Sequence, residues 1–185
     1  MKSSFIVPAD AVPPTRHERA AAPGEQIRPH NPTCFGCGPE SPTGLHMTAV
    51  AGDRIDCSAT FTVEPKFEGG PGVIHGGILS TAFDEAMGLC LKLMRVIAVT
   101  AHLEIDFAKP ILLGTELRFE SEVLGQVGRK LYSQSIAYSG DVEVARAHAL
   151  FITVQPERHF KDSYALSQRA DHYEQRVEMD DIQAP

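Results

Sequence analysis

The chain has no tryptophan, only four cysteines in 185 residues and no long uninterrupted apolar run. Four cysteines in a chain of this length do not form the disulfide framework of a small secreted domain. Asp84, Glu85 and Lys92 interrupt the longest apolar stretch, so no segment is predicted to span a membrane. Early prolines, beginning with Pro8, leave no apolar core for a signal peptide. These absences predict a cytoplasmic protein with no membrane partner.

Positive charge is also scarce, because 17 Lys and Arg residues stand against 24 Asp and Glu residues, which gives a net charge of -7. A nucleic-acid surface needs clustered Lys and Arg, and the chain has no such run. We therefore expect no nucleic-acid partner. The share of hydrophobic residues, 43%, is that of an ordinary soluble globular protein, and the length predicts one domain with loose ends.

Three segments follow from the local composition. Residues 1–30 are rich in proline without a sustained period, which predicts an extended N-terminal arm. Residues 31–155 carry the periodic patterns and form the predicted domain. Residues 156–185 are polar and charged, and we predict a tail that forms at most a short surface helix.

One helix is predicted from Ile78 to Met94, because apolar pairs recur there at helical spacing. The opposite stripe holds almost only small residues, which predicts a helix buried nearly all round. A lone carboxylate in such a stripe must be paired, protonated or functional. The stripe consists of Gly77, Ser80 or Thr81, Asp84 and Gly88.

Alternation of apolar and polar residues precedes this helix once and follows it four times. One long helix beside strands that are not separated by further helices predicts an α+β fold. In this fold a mainly antiparallel sheet curls around the helix. The predicted strands cover residues 55–63, 99–107, 116–124, 129–138 and 142–154.

A Cys-x-x-Cys pair, Cys34 and Cys37, lies in a segment dense in turn residues and is flanked by His30 and His46. A zinc site can be written from these four residues, but their spacing matches no common zinc module. A tight structural loop is the favoured interpretation, and we assign the chain no metal and no cofactor.

Two stretches resemble the hotdog-fold acyl-CoA thioesterases, specifically their phenylacetate-pathway (PaaI-like) branch, and the segment with Cys34 to Gly38 and Pro42 to Leu45 is similar to the lead-in of many family members. The first is Gly72 to Ile78, which contains His75-Gly76-Gly77, followed by an acid, Asp84, nine residues after the histidine. The second runs from Thr100 to Asp106 and continues through Pro110 to Gly114. The resemblance implies a hotdog fold over residues 31–155. It also implies homodimers, often paired into homotetramers, with active sites at the subunit interface.

The resemblance also implies roles for individual residues. Backbone N–H groups at the start of a helix lack internal partners, and Gly76 and Gly77 would offer theirs to the oxyanion of a thioester. Asp84 would act as general base or as nucleophile, and both routes stay open. Thr100 would orient the water. His75 would position the substrate or the loop, although a ring bonded to a backbone carbonyl is the favoured interpretation.

Two further positions are not assigned any of these roles. Some relatives carry an asparagine six residues before the histidine, where this chain has Gly69. Glu85 is predicted to face solvent or a subunit contact. The pocket walls are predicted from Phe67, Phe83 and Met87 together with the facing subunit.

Hydrolysis of an acyl-CoA, or of an acyl carrier protein thioester, is the leading functional hypothesis. A hotdog hydratase or dehydratase is a second one, because His75 and Asp84 supply two proton-exchanging groups. A non-catalytic acyl-CoA sensor is the third. No cofactor is expected beyond the CoA thioester that serves as substrate.

Overall fold

The computed structural model describes residues 5–164. In this part of the chain a seven-stranded sheet wraps around one long helix. The long helix is α1, Gly76–Leu91, and a single 3-10 turn covers Pro65–Phe67. The two short helices at the end are α2, Pro156–His159, and α3, Lys161–Tyr164. The strands are β1 Gln26–Ile27, β2 Thr48–Ala51, β3 Asp56–Thr62, β4 Ala98–Phe107, β5 Glu116–Val127, β6 Lys130–Ser139 and β7 Val142–Thr153.

Every strand pair is antiparallel, and the order across the sheet is β1-β2-β3-β5-β6-β7-β4. The predicted α+β fold with an antiparallel sheet around one helix is confirmed. The five predicted strands correspond to β3 through β7. Strands β1 and β2 were not predicted, because two and four residues are too few to establish an alternating pattern.

The helix begins at Gly76, two residues before the predicted start, because the preceding His75 caps it. It ends at Leu91, three residues before the predicted Met94. There the hydrogen bonds tighten to the three-residue spacing of a 3-10 turn, as from the Leu93 N–H to the Cys90 carbonyl. Arg95 then has a positive φ of 54°, which ends the helical path.

One face of α1 packs into the sheet. Phe83, Met87 and Leu89 are fully buried there, and the Phe83 ring lies edge-on to Phe119 with 5.1 Å between centroids. The prediction of burial nearly all round is wrong on the opposite side, because Gly77 is exposed and Asp84 and Gly88 are only half-buried. In residues 5–164 of a single chain, the stripe of small residues therefore forms a helix face that the sheet leaves partly open to solvent.

The predicted arm lies extended along the sheet of its own chain. Val12 pairs with Gln126 on β5, and β1 adds two residues of the arm to the sheet edge. Of the predicted tail, residues 156–164 contain α2 and α3, and the rest lies outside the described residues. Across residues 5–164, no helix combines the length and the apolar character needed to cross a membrane.

Candidate active site

The start of α1 is built around His75. Its Nδ1 atom accepts a hydrogen bond of 2.9 Å from the Gly77 N–H, and its backbone carbonyl accepts from Ile78 and Leu79. The expectation that the ring bonds a backbone carbonyl is therefore wrong, because the ring nitrogen is an acceptor here. The Gly77 N–H is engaged by this cap, which leaves it out of reach of a ligand.

The N–H of Gly76, in contrast, has no acceptor among residues 5–164. Gly76 is the first residue of the helix, where a backbone N–H has no partner in the preceding turn and lies at the positive end of the helix dipole. It opens into a pocket of about 290 Å³. The pocket lining includes Val73, Leu79, Phe107, Lys109 and Pro110.

Asp84 meets Thr100 across the gap between α1 and β4. The Thr100 hydroxyl donates a hydrogen bond of 2.6 Å to Asp84 Oδ1, which brings together two of the predicted site residues. Burial raises the pKa of Asp84 above its ordinary value, and the bond from Thr100 partly opposes that rise. Asp84 is thus a half-buried carboxylate with one hydroxyl partner on the uncovered face of the helix.

The candidate site residues of one chain form two separate groups. Gly76 and Asp84 are eight positions apart on the same helix, which corresponds to about 12 Å along the axis at about 1.5 Å per residue. Gly76 shares its end of the helix with His75 and Gly77. Asp84 and Thr100 lie two turns further along. A single small group cannot contact both Gly76 and Asp84 of the same chain.

Gly69 lies directly against His75. A Cβ atom at position 69 would come within 2.6 Å of the His75 Cα atom, which is far closer than any real contact. The Gly69 N–H is bonded to the Val73 carbonyl at 2.9 Å, and the His75 N–H to the Phe67 carbonyl at 2.8 Å. An asparagine cannot occupy this position on the present loop path.

Glu85 does not face solvent, so that alternative of the prediction is wrong, and its side chain is held by the N-terminal loop of its own chain. Its side chain is 11% exposed, its Oε1 atom lies 2.8 Å from His30 Nδ1, and its Oε2 atom lies 3.6 Å from Cys34 Sγ. Burial opposes a charge on His30, yet its hydrogen bonds with Cys34 and Glu85 raise its pKa to about 9. His46, the other histidine that flanks the Cys-x-x-Cys pair, is exposed and lies outside this cluster.

The predicted pocket walls are also wrong. Phe67, Phe83 and Met87 are buried in the core between α1 and the sheet, and none of them lines the pocket at Gly76. Helical spacing places Phe83 and Met87 on the sheet side of α1. Lys109 lies at the pocket itself, whereas three other basic residues that are candidates to meet a CoA phosphate, Lys66, Arg129 and Lys130, do not line it.

The curled antiparallel sheet and its single central helix define a hotdog-class domain, and solved structures agree. The PaaI protein of the E. coli phenylacetic acid degradation operon superposes with a TM-score of 0.57 at 21% identity, over 60% of this chain and 81% of that one. A hypothetical thioesterase from Streptococcus pneumoniae, solved with coenzyme A, superposes with a TM-score of 0.52 at 21% identity. That match covers 54% of this chain and 81% of the streptococcal one. At these identities the likeness establishes the fold.

A comparison of the sequence with family models agrees with this fold. Residues 71–146 match the model of the thioesterase superfamily. The predicted resemblance to PaaI-like hotdog thioesterases is confirmed.

Curated relatives point the same way. Acyl-coenzyme A thioesterase THEM4 of Rattus norvegicus is 36% identical over 93 residues, 49% of this chain and 40% of the relative. The Xenopus laevis protein of that name is 34% identical over 98 residues, 52% of this chain and 44% of the relative. The chain thus spans less than half the length of these curated relatives.

Proposed function

We propose that this chain hydrolyses an acyl-CoA thioester to the free acid and CoA. The observation that carries the proposal is the pair of groups on α1: a free N–H at Gly76 that opens into a pocket, and the half-buried Asp84 that Thr100 contacts. The match of residues 71–146 to the thioesterase superfamily model and the name of the THEM4 relatives support this reaction. The comparison of acyl-CoA classes described below identifies the preferred acyl group.

The proposed oxyanion donor is the Gly76 N–H. When a nucleophile attacks the thioester carbonyl, negative charge develops on its oxygen, and a fixed donor at a helix N-terminus stabilises that charge. The absence of a side chain at Gly76 lets the carbonyl approach closely. His75 serves as a positioning residue in this proposal, because its ring holds the Gly77 N–H and so fixes the first turn of the helix.

Asp84 is the proposed base or nucleophile. In one route it removes a proton from the attacking water; in the other it attacks the carbonyl and water then hydrolyses the anhydride. Both routes need the ionised carboxylate, which the hydrogen bond from Thr100 favours. The streptococcal thioesterase was also solved with one aspartate and, separately, one threonine replaced by alanine, 16 residues apart. Asp84 and Thr100 have the same separation.

A second copy of the chain completes the proposed site. About 12 Å separates Gly76 from Asp84 on one helix, whereas a reacting carbonyl must lie about 3 Å from both the donor and the base or nucleophile. The uncovered face of α1 and the free outer edge of β4 favour a dimer. Val99 and Phe107 on β4 are 40% and 55% exposed. The thioester bound at Gly76 would then react with Asp84 of the partner subunit.

Lys109 is the proposed contact for a phosphate of CoA, because it lies in the pocket that Gly76 lines. Two of the other candidate cations are already engaged. Lys66 pairs with Glu64 at 3.1 Å, and Arg129 donates to the Thr153 carbonyl at 3.4 Å.

Thiol release from aromatic, short-chain and long-chain acyl-CoAs tests the reaction, with wild type and Asp84→Asn compared in parallel. We expect turnover of at least one class and a fall of about 10²- to 10⁴-fold in the variant. Tight acyl-CoA binding without turnover by wild type would contradict hydrolysis and indicate a sensor. Addition of water to enoyl-CoA, without thiol release, would indicate a hydratase.

Mixing two inactive variants tests the shared site. Asp84→Asn and Gly76→Pro chains, unfolded and refolded together in equal amounts, form mixed dimers in which one of the two sites carries neither change. We expect about a quarter of wild-type activity to return. A mixture that stays as inactive as the separate variants would place both groups of a site on one chain.

A further inference from the structure

Four side chains with metal-binding atoms meet where the N-terminal loop crosses α1: His30, Cys34, Cys37 and Glu85. One ligand atom from each lies within 4.8 Å of all the others. Three of these residues belong to one short loop, and Glu85 comes from the helix about fifty residues later. Neither the proposed oxyanion donor nor Asp84 is part of the cluster.

Two of the distances between these atoms match the edges of a tetrahedral zinc site. Zinc binds sulfur at about 2.3 Å and nitrogen or oxygen at about 2.0–2.2 Å, so tetrahedral angles place sulfur and nitrogen about 3.5 Å apart and sulfur and oxygen about 3.6 Å apart. Cys37 Sγ lies 3.5 Å from His30 Nδ1, and Cys34 Sγ lies 3.6 Å from Glu85 Oε2. Both edges are those of a site closed around one ion.

The loop packs closely against the carboxylate and folds tightly on itself. A Cβ atom at Gly36 would come within 2.2 Å of Glu85 Oε2, so a larger residue there would displace the Glu85 side chain. At Gly38 a Cβ atom would come within 2.3 Å of the Cys34 backbone nitrogen. The Gly38 N–H closes the turn with a bond of 2.9 Å to the Cys34 carbonyl. These two glycines allow the Cys-x-x-Cys turn to hold both sulfur atoms beside Glu85.

Polar groups of the chain lie beside the sulfur atoms. The His30 backbone N–H points at Cys37 Sγ from 3.0 Å, and an N–H directed at sulfur stabilises the negative charge of a metal-bound thiolate. Lys92, whose Nζ atom bonds the Pro29 carbonyl at 3.3 Å, places positive charge beside the cluster.

We propose that His30, Cys34, Cys37 and Glu85 bind one structural zinc ion that joins the N-terminal loop to α1. Two sulfur ligands and an imidazole select zinc over magnesium or calcium, which prefer oxygen. Four protein ligands leave no open position for water or substrate, so the ion holds structure and performs no catalysis. The usual zinc spacings do not reveal this site because the fourth ligand comes from the helix rather than from a second knuckle.

Metal analysis of the full-length chain tests the site independently of any thioesterase activity. The chain is purified without a polyhistidine tag, in a phosphine reductant and without chelator, and its zinc content is measured by plasma mass spectrometry. We expect about one zinc per chain in wild type. Cys34→Ser and Glu85→Gln should lose most of it. The matched control is Cys57→Ala, which removes a buried cysteine on β3 outside the cluster and should keep the zinc.

Cobalt substitution gives a second readout that does not need the variants to fold. Tetrahedral cobalt bound by two thiolates gives an intense charge-transfer band in the near ultraviolet, and we expect this band in wild type. A wild-type chain that binds neither zinc nor cobalt overturns the proposal. So does a Cys34–Cys37 disulfide that forms under air in the presence of zinc, or full zinc retention by Cys34→Ser.

Discussion

Asp84 and Glu85 are consecutive carboxylates on one helix, yet their surroundings are opposite. Asp84 lies on the uncovered face with a single hydroxyl partner, Thr100. Glu85, about 100° further around the helix, is held by His30 and lies beside a cysteine sulfur. A rotation of one residue therefore separates a carboxylate that is available for a reaction from one that anchors a loop. A reactive carboxylate needs an accessible helix face, whereas a carboxylate that anchors a loop needs hydrogen-bond partners from that loop.

The most direct test of these different roles is to neutralise each of the two carboxylates in turn. We expect Asp84→Asn to lower kcat by about 10³-fold while thermal stability and zinc content stay near wild type. Glu85→Gln should show the reverse pattern, with zinc lost, a lower melting temperature and a much smaller fall in kcat. Kinetics and metal analysis on the same two preparations measure both effects. Equal losses of activity in the two variants would contradict the separation of roles.

A proline at the start of the helix removes the proposed oxyanion donor and little else. Proline is tolerated at the first helical position, and His75, with φ -69° and ψ 132°, has the extended backbone that a residue before proline requires. We expect Gly76→Pro to lower kcat by about 10²- to 10³-fold. Gly76→Ala is the matched comparison, because it keeps the N–H and its Cβ would lie 3.9 Å from the Phe107 ring. Since the added Cβ crowds only the approach of the carbonyl, we expect a smaller fall than in the proline variant. An active proline variant would exclude this N–H as the donor.

Removing the partner of Asp84 should change the pH dependence of the reaction. The Thr100 hydroxyl favours the ionised carboxylate, so Thr100→Val should raise the pKa of Asp84 further. The acid limb of the kcat/KM profile then moves to higher pH, so activity is lost first on the acidic side of the profile, because the hydrogen bond to the ionised carboxylate is gone. Thr100→Ser keeps the hydroxyl and should keep the profile. An unchanged acid limb in the valine variant would show that Asp84 does not govern it.

The smallest expected effect concerns CoA recognition by Lys109. An exposed lysine contributes little to binding a phosphate in water, so we expect Lys109→Ala to raise KM for acyl-CoA by about three- to tenfold with kcat nearly unchanged. This increase should shrink at high salt, because ions screen the contact. Lys66→Ala, which removes a lysine paired with Glu64, is the control and should leave KM unaltered.

Periodicity and one motif were enough to predict α1 and the five longer strands, and the family resemblance marked Asp84 and Thr100 as candidate site residues. The helix was visible because its apolar residues recur at the helical period. The position of Asp84 followed from its distance to His75 within the family motif. The hydrogen bond between Asp84 and Thr100 was not predicted, because Thr100 lies on a strand whose pairing to the helix no local pattern reveals.

The environment of Glu85 was beyond the sequence, because its partners His30 and Cys34 are 55 and 51 residues away. No local pattern encodes a contact between a turn-rich loop and a helix that far along the chain. A weak signal was present, since a glycine beside each cysteine of a Cys-x-x-Cys pair indicates a tight turn. The pocket walls were mispredicted for a related reason: nearness to the motif in sequence does not decide which side of α1 a residue occupies.

The contact between Gly69 and His75 has a consequence for protein engineering. Because any side chain at position 69 would collide with the His75 backbone, an asparagine cannot be introduced there by one substitution. The loop that carries position 69 and the histidine that begins the helix must therefore be redesigned together.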